Sequence, residues 1–154
     1  MSFLPDLHRM LHIRTVQFDE IKELVDLSDQ VPELHAPYRA SEYERRLTGV
    51  PHLMLLAEVN GAAAGFKVGY EREGFWYSWM GGVHPDYRRR GIARQLANVQ
   101  DAWAQREGYP HVTFKTLNRH RNMLRFALER GFNIIRVEER ETVAEYRIWL
   151  RKSL

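Results

Sequence analysis

Hydrophobic positions recur along this chain with two periods, and the switches between them mark its elements. Residues 8–17, "HRMLHIRTVQ", read as a first strand. "FDEIKELVDLSDQ" then places Ile21, Leu24, Val25 and Ser28 on one face, the spacing of a helix. "VPELHAPY" carries Pro32 and Pro37 and reads as a loop. "ASEYERRLTG" follows as a short second helix, with Ser41 as its expected cap and Gly49 as its stop.

"PHLMLLAEVNGAAAGFKVGYE" reads as strand, Asn60-Gly61 turn and strand. "GFWYSWMGGVHP" is a third antiparallel strand, interrupted at Gly81-Gly82 by a bulge or by a close backbone approach. Ile92, Leu96, Val99 and Trp103 then form a helical stripe that ends at Gly108. The strand "HVTFKTL", a helix "RNMLRFALER" closed by Gly131, and the strands "FNIIRVEER" and "TVAEYRIWL" complete the chain. The order β α α β β β α β α β β is that of a mixed α+β sheet, not of a doubly wound fold.

Composition narrows the chemistry. A chain of 154 residues with 44% apolar content is expected to form one globular domain, residues 1–154. It has no cysteine, so disulfides, thiolate zinc sites and cysteine nucleophiles are excluded. His8 and His12 share one face of the first strand, but no third ligand sits near them in the sequence, and no metal is expected. The start "MSFLPDLHRMLHIR" lacks a signal-peptide layout, and stretches such as "LMLLA" are too short to span a bilayer. The expectation is a soluble cytoplasmic protein with no membrane partner.

The net charge of +3 is mild, but its arginines cluster: Arg88, Arg89, Arg90 and Arg94 in one group, Arg119, Arg121 and Arg125 in another. Such clusters fit a nucleic acid, a small molecule with several phosphates, or plain solvated surface. The surrounding pattern favours the small molecule. In "VHPDYRRRGIA" a strand ends near Pro85 and a helix begins near Gly91. The first turn of a helix has unpaired amides and a partial positive charge, which together bind phosphate. Gly91 and Ala93 keep that backbone approachable, a feature with a purpose only if something approaches it. Well-placed arginines there add roughly 1.5–3 kcal/mol each. The result is a diphosphate cradle. Neither the P-loop pattern nor Gly-x-Gly-x-x-Gly is present.

At these residues the chain resembles the GNAT superfamily of N-acetyltransferases, whose signature is Val-x-Pro-x-Tyr-Arg-x-x-Gly-Ile-[Gly/Ala]. The family's [Gln/Arg]-x-x-Gly-x-[Gly/Ala] core falls on Arg88, Gly91 and Ala93. "ALERGF" is similar to the family's next-to-last helix and its Gly-Phe exit. The resemblance implies a GNAT-like, mostly antiparallel twisted sheet with helices on both faces, and acetyl-coenzyme A as acyl donor. It implies cofactor contacts at Val83, Arg88, Arg89, Arg90, Gly91, Ile92 and Ala93, with the diphosphate on the amides of residues 89–93 and the pantetheine arm along the Val83 strand. A bulge at Gly81-Gly82 would then make room for the thioester. Asn118 and Asn122 are either further cofactor contacts or helix caps.

The implied reaction is acetyl transfer to a primary amine, a small molecule rather than a protein, by direct attack on the thioester. The tyrosine that often protonates the departing thiolate in this family is replaced by Ala127, beside Phe126. The usual acidic residue is missing from Tyr77-Ser78-Trp79-Met80. Glu33, His35 and Glu58 are the remaining candidate bases, and Glu33, His35 and Tyr38 equally read as solvent-exposed loop groups. Tyr77 and Trp79 either wall the acceptor or pack in the core. A non-catalytic acyl-coenzyme A sensor on the same fold is the alternative. Nucleic acid ranks below both, and a homodimer fits the family's habit.

Overall fold

The computed structural model describes residues 10–154, so His8 and the first residues of the expected opening strand lie outside the described residues. The elements are β1 (Leu11–Thr15), α1 (Ile21–Ser28), α2 (Ala40–Leu47), β2 (His52–Val59), β3 (Ala62–Arg72) and β4 (Phe75–Val83). They continue with α3 (Ile92–Arg106), β5 (His111–Leu117), α4 (Arg121–Glu129), β6 (Asn133–Glu138) and β7 (Arg147–Ser153). This is the expected order of an α+β fold, and its mixed sheet is antiparallel wherever pairing is described except between β4 and β5.

The chain divides into two compact units. The first holds residues up to Tyr70 together with Met80–Gln100. Its strands run β1-β2-β3 and on to the end of β4. Asn60 and Gly61 turn the β2–β3 hairpin with φ of 51° and 80°, as the Asn-Gly dipeptide predicts. In α1, Ile21, Leu24, Val25 and Leu27 are buried, and full burial of such a side chain contributes about 1.5–3 kcal/mol. Ser28 is buried among them because its Oγ donates to the Val25 carbonyl at 2.7 Å.

Several boundaries differ from the sequence expectation. The stretch ahead of α1 is a 3-10 turn over Phe18–Glu20, where the Glu20 carboxylate accepts from the Gln17 amide at 3.2 Å. Helix α2 is preceded by Arg39 rather than capped by Ser41, which lies inside the helix and makes no cap. Gly49 does stop it, at φ 75°.

Strand β4 continues through Gly81-Gly82 to Val83. A Cβ on Gly82 would sit 3.0 Å from Val31 Cγ1, and one on Gly81 would sit 3.2 Å from the Phe66 carbonyl oxygen. Close approach at these glycines comes from the protein's own Val31 and β3.

The second unit holds Glu71–Trp79 and Asp101–Leu154, with strands in the order β4-β5-β7-β6. Strands β4 and β5 pair in parallel at Trp76↔Val112 and Tyr77↔Thr113. Trp76 is fully buried against Trp103 and Tyr109, with ring centroids 4.8 and 5.2 Å away. Ala127, Ile148 and Leu150 form a second cluster. Asp101 links Arg130 and Lys152 at 15% side-chain exposure. The last strand begins at Arg147, because residues Val143–Glu145 close a 3-10 turn instead of extending.

Candidate functional site

The turn between β4 and α3 lies wholly in the first unit. Val83 ends β4, a 3-10 turn covers Pro85–Tyr87, and α3 starts at Ile92. His84 shapes the exit: its amide donates to the Ala64 carbonyl at 2.7 Å, and its Nδ1 accepts from the Asp86 amide at 3.1 Å. Helix α3 is seated through Gly65 of β3, where a Cβ would meet Ile92 at 3.0 Å and Leu96 at 3.2 Å. That close contact fixes where the helix begins.

Arg89 and Gly91 both take left-handed backbone angles, φ 61° and 78°. Turns of this kind gather successive N–H groups into a concave anion site. The first α3 hydrogen bond described runs from the Gln95 amide to the Gly91 carbonyl at 3.0 Å, so the amides ahead of it belong to an open helix end. A Cβ on Gly91 would meet nothing within 4 Å. The space above this glycine opens onto a pocket of about 370 Å³ lined by Arg89, Arg90, Gly91, Ile92, Arg94 and Gln95, with Leu11 and Val59 as an apolar wall. Leu11 and Val59 are cross-strand partners at the end of β1 and β2.

Among the expected cofactor residues, Arg89, Arg90, Gly91 and Ile92 come together at this pocket. Ala93 is exposed on the first turn and does not line it. Arg94, a member of the same arginine cluster, lines it as well, and so does Gln95, which carries no charge or motif signal in the sequence.

Arg88 already has partners within the protein. Its guanidinium grips Glu33 through Nη1–Oε1 at 2.7 Å and Nη2–Oε2 at 2.6 Å, and its Nε donates to the Val83 carbonyl at 3.1 Å. The side chain so placed braces the turn. Asn118 and Asn122 belong to the second unit. There the Asn118 side-chain amide donates to the Val143 carbonyl at 3.1 Å, closing a loop rather than capping α4, whose N-cap is His120.

The candidate bases occupy three different settings. Glu33 is held by Arg88, and His35 is exposed in the loop after α1. Glu58 accepts from Arg14 Nε at 2.6 Å. Arg14 also binds Glu20 at 2.7 Å and Glu23 at 2.5 Å, and these carboxylates, Glu58 first, hold its guanidinium firmly charged. Glu58 faces another pocket, of about 460 Å³, shared with Arg14, Glu23, Asp26 and His84. Tyr38 lies exposed in the loop, with the Arg46 guanidinium 5.1 Å from its ring centroid. Tyr77 is 2% exposed and lies under Arg72, which makes packing its role. Ala127, at the position where the family often has tyrosine, points into the apolar cluster with Ile148 and Leu150.

Residues 18–132 match the model of the Acetyltransferase (GNAT) family. The chain belongs to that family. A curated relative, an acetyltransferase of Yersinia pestis (strain Pestoides F), is 38% identical over 88 residues, 56% of this chain and 62% of that protein. The chain thus spans under two thirds of that relative's length. An acetyltransferase of Sodalis glossinidius is 33% identical over 104 residues, 66% of this chain and 72% of the relative.

Solved GNAT structures share the fold at low identity. The ribosomal-protein-S18-alanine N-acetyltransferase from Escherichia coli has a TM-score of 0.83 at 17% identity, covering 94% of each chain. Arabidopsis thaliana Naa50 in complex with the bisubstrate analogue CoA-Ac-MVNAL has a TM-score of 0.77 at 16% identity, covering 94% of this chain and 99% of that one. A GNAT acetyltransferase from Elizabethkingia anophelis with acetyl-CoA bound reaches 0.71 at 18% identity over the same shares. Among the described residues no helix is long and apolar enough to cross a membrane.

Proposed function

We propose that this chain is an acetyl-coenzyme A-dependent N-acetyltransferase that acts in the cytoplasm on a primary amine, a small molecule rather than a protein. The single observation that carries the reading is the open helix start at Gly91, where left-handed backbone, clear space and the cations Arg89, Arg90 and Arg94 meet. Those groups suit a diphosphate, by hydrogen bonds from the amides of residues 89–93 and by charge from three arginines. The donor set contains no buried carboxylate that would repel it.

When bound, acetyl-coenzyme A supplies an activated acyl thioester. The protein's part is to hold and orient it. Successive amides of an extended strand point to opposite edges, and His84 N–H is spent on Ala64. Val83 N–H therefore points away from β3, toward an edge where an added backbone-like arm can pair with it. A donor so placed also stabilises negative charge on an acyl oxygen, an effect typically worth ~10²–10³ in rate.

The acceptor must lose a proton before it attacks. At a lysine-like pKa of ~10.4, only about one amine in 2,500 is neutral at pH 7, a handicap of roughly 4.6 kcal/mol. Glu33 and Glu58 are both committed to arginines, so neither is a poised base as it stands. His35 is the remaining member of the set, exposed and able to relay a proton through water. A thiolate with a pKa near ~8.5 leaves without a strict need for an acid, so the alanine at position 127 is compatible with turnover.

Release of free thiol from acetyl-coenzyme A, measured against a panel of amines, tests this function. Amine-dependent release supports transfer. Tight coenzyme binding with no release for any amine would sink it in favour of a sensor.

A further inference from the structure

One sheet face of the second unit is built from rows that cross three strands. Lys115 pairs with Trp149, which pairs with Arg136; Thr113, Arg151 and Asn133 form the row on one side, and Leu117, Arg147 and Glu138 the row on the other. The alternate positions Ile148 and Leu150 point the opposite way, into the cluster with Ala127 of α4. Residues 115, 136 and 151 are exposed, so this part of the face is open to solvent, while Thr113 at the β5 end of its row is buried. Arg72, from the β3–β4 hairpin, adds a further cation 5.8 Å from the Trp149 ring centroid. Glu138 is the one carboxylate in these rows.

The tryptophan is already covered. Arg136 lies 4.9 Å and Lys115 5.3 Å from its ring centroid, besides Arg72. Single-stranded nucleic acids bind largely by stacking bases on free aromatic faces, and none is offered here. What the face does hold is a carboxylate. Glu138 accepts from Trp149 Nε1 at 2.7 Å and from Arg136 at 2.5 Å, with Arg140 and Arg147 at 3.5 and 3.9 Å. Its carboxyl is held below the usual range, first by the indole N–H and then by those arginines. Glu138 is the protein's own residue, and its contacts show how the indole N–H and the arginines of this face seat a carboxylate.

We propose that this face docks an acidic polypeptide segment of a partner protein. Along β7, Arg147, Trp149 and Arg151 stand at two-residue steps of about 6.7 Å, the spacing at which an extended peptide presents alternate side chains. Glutamate or aspartate four positions apart would match Arg147 and Arg151, and one between them would face Arg136 and Lys115 beside Trp149. The surface identifies a partner, not the acceptor of acetyl transfer, and it requires no catalytic activity.

The test uses the full chain and a fluorescent glutamate-rich peptide of about twelve residues, long enough to cross the strand face extended. A thymidine oligonucleotide of equal charge is the competitor. The expected result is saturable peptide binding that weakens with added salt and by about tenfold in Lys115→Glu/Arg151→Glu, as exposed rim charges do when reversed. Lys115→Gln, a milder change at an exposed site, should weaken it less. Coenzyme A binding by the same variants should stay unchanged, which separates this outcome from any failure of the proposed transfer. Absent peptide binding, an unaffected double variant, or displacement by the oligonucleotide at lower concentration than by unlabelled peptide would overturn the proposal.

Discussion

Arg88 and Glu33, 55 positions apart, meet in two parallel hydrogen bonds of 2.7 and 2.6 Å. The pair ties the loop after α1 to the turn whose amides are proposed to bind the diphosphate. Since Arg88 also holds the Val83 carbonyl, it joins three pieces of backbone. A bracing role gives a specific expectation. Arg88→Ala and Glu33→Ala should weaken coenzyme A binding to a similar extent, about two- to fivefold, the range expected of an exposed ion pair. The double variant should be no worse than either single one, because both remove the same link. Isothermal titration of the three variants checks this. A far larger loss for Arg88→Ala alone would mean that its guanidinium touches the phosphates after all.

Gly91 offers a sharper handle. An aspartate there has room, since nothing lies within 4 Å of the added Cβ, yet it must adopt φ near 78°. The strain costs roughly 1–2 kcal/mol, which leaves the fold intact. Gly91→Asp should lower coenzyme A affinity by at least ~100-fold, equivalent to about 3 kcal/mol of charge-assisted hydrogen bonding. Gly91→Ala carries the same strain without the charge and should lose far less. Titration calorimetry with circular dichroism distinguishes the two, and equal affinity in wild type and Gly91→Asp would remove the basis for the assignment.

Gly82 predicts a coupling. Its added methyl would press on both Val31 methyl groups at 3.0 and 3.1 Å. Gly82→Ala should cost about 1–3 kcal/mol by overpacking. In Val31→Ala the opposing methyls are gone, so the same change should cost much less. Urea melts of the four proteins in this cycle give the interaction energy; additivity would show that Val31 is not the obstruction.

Acid should loosen α2 at a stated place. Hydrogen bonds from Arg45 first, then Arg46, hold the Glu42 carboxyl down to about 2, against an ordinary value of 4.5. A depressed folded value means that the contribution is complete above about 4.5 and is lost as pH falls toward about 2. The melting temperature of wild type should fall across that window more steeply than that of Glu42→Gln. Parallel slopes would show the pair to be energetically idle.

Local pattern made much of the fold legible. The Asn60-Gly61 hairpin, the strand His111–Leu117 and the helix start after Gly91 all follow from neighbouring residues. Contacts between distant residues did not show. The stripe on α3 was expected along Ile92, Leu96, Val99 and Trp103, yet Val99 is 38% exposed and Gln100 is 2% exposed. At 3.6 residues per turn the buried face is centred about 70° further round, over Leu96, Gln100 and Ala104. A polar glutamine and small alanines gave no hydrophobic signal there. Ser41 reads as a cap because serine favours that role, while the chain enters α2 two residues earlier, at Arg39. The arginines at the site were visible as a cluster, but which of them faced outward depended on Glu33, far away in sequence.

The left-handed backbone at Arg89 has a kinetic meaning. A non-glycine residue held at φ 61° is strained, and that strain is met when the polypeptide folds, not when a ligand arrives. Under the proposed function, an incoming diphosphate would find its donors already aimed, with no loop left to freeze. Capture at this turn should therefore proceed in one concentration-dependent phase, at a speed governed by encounter and ionic strength.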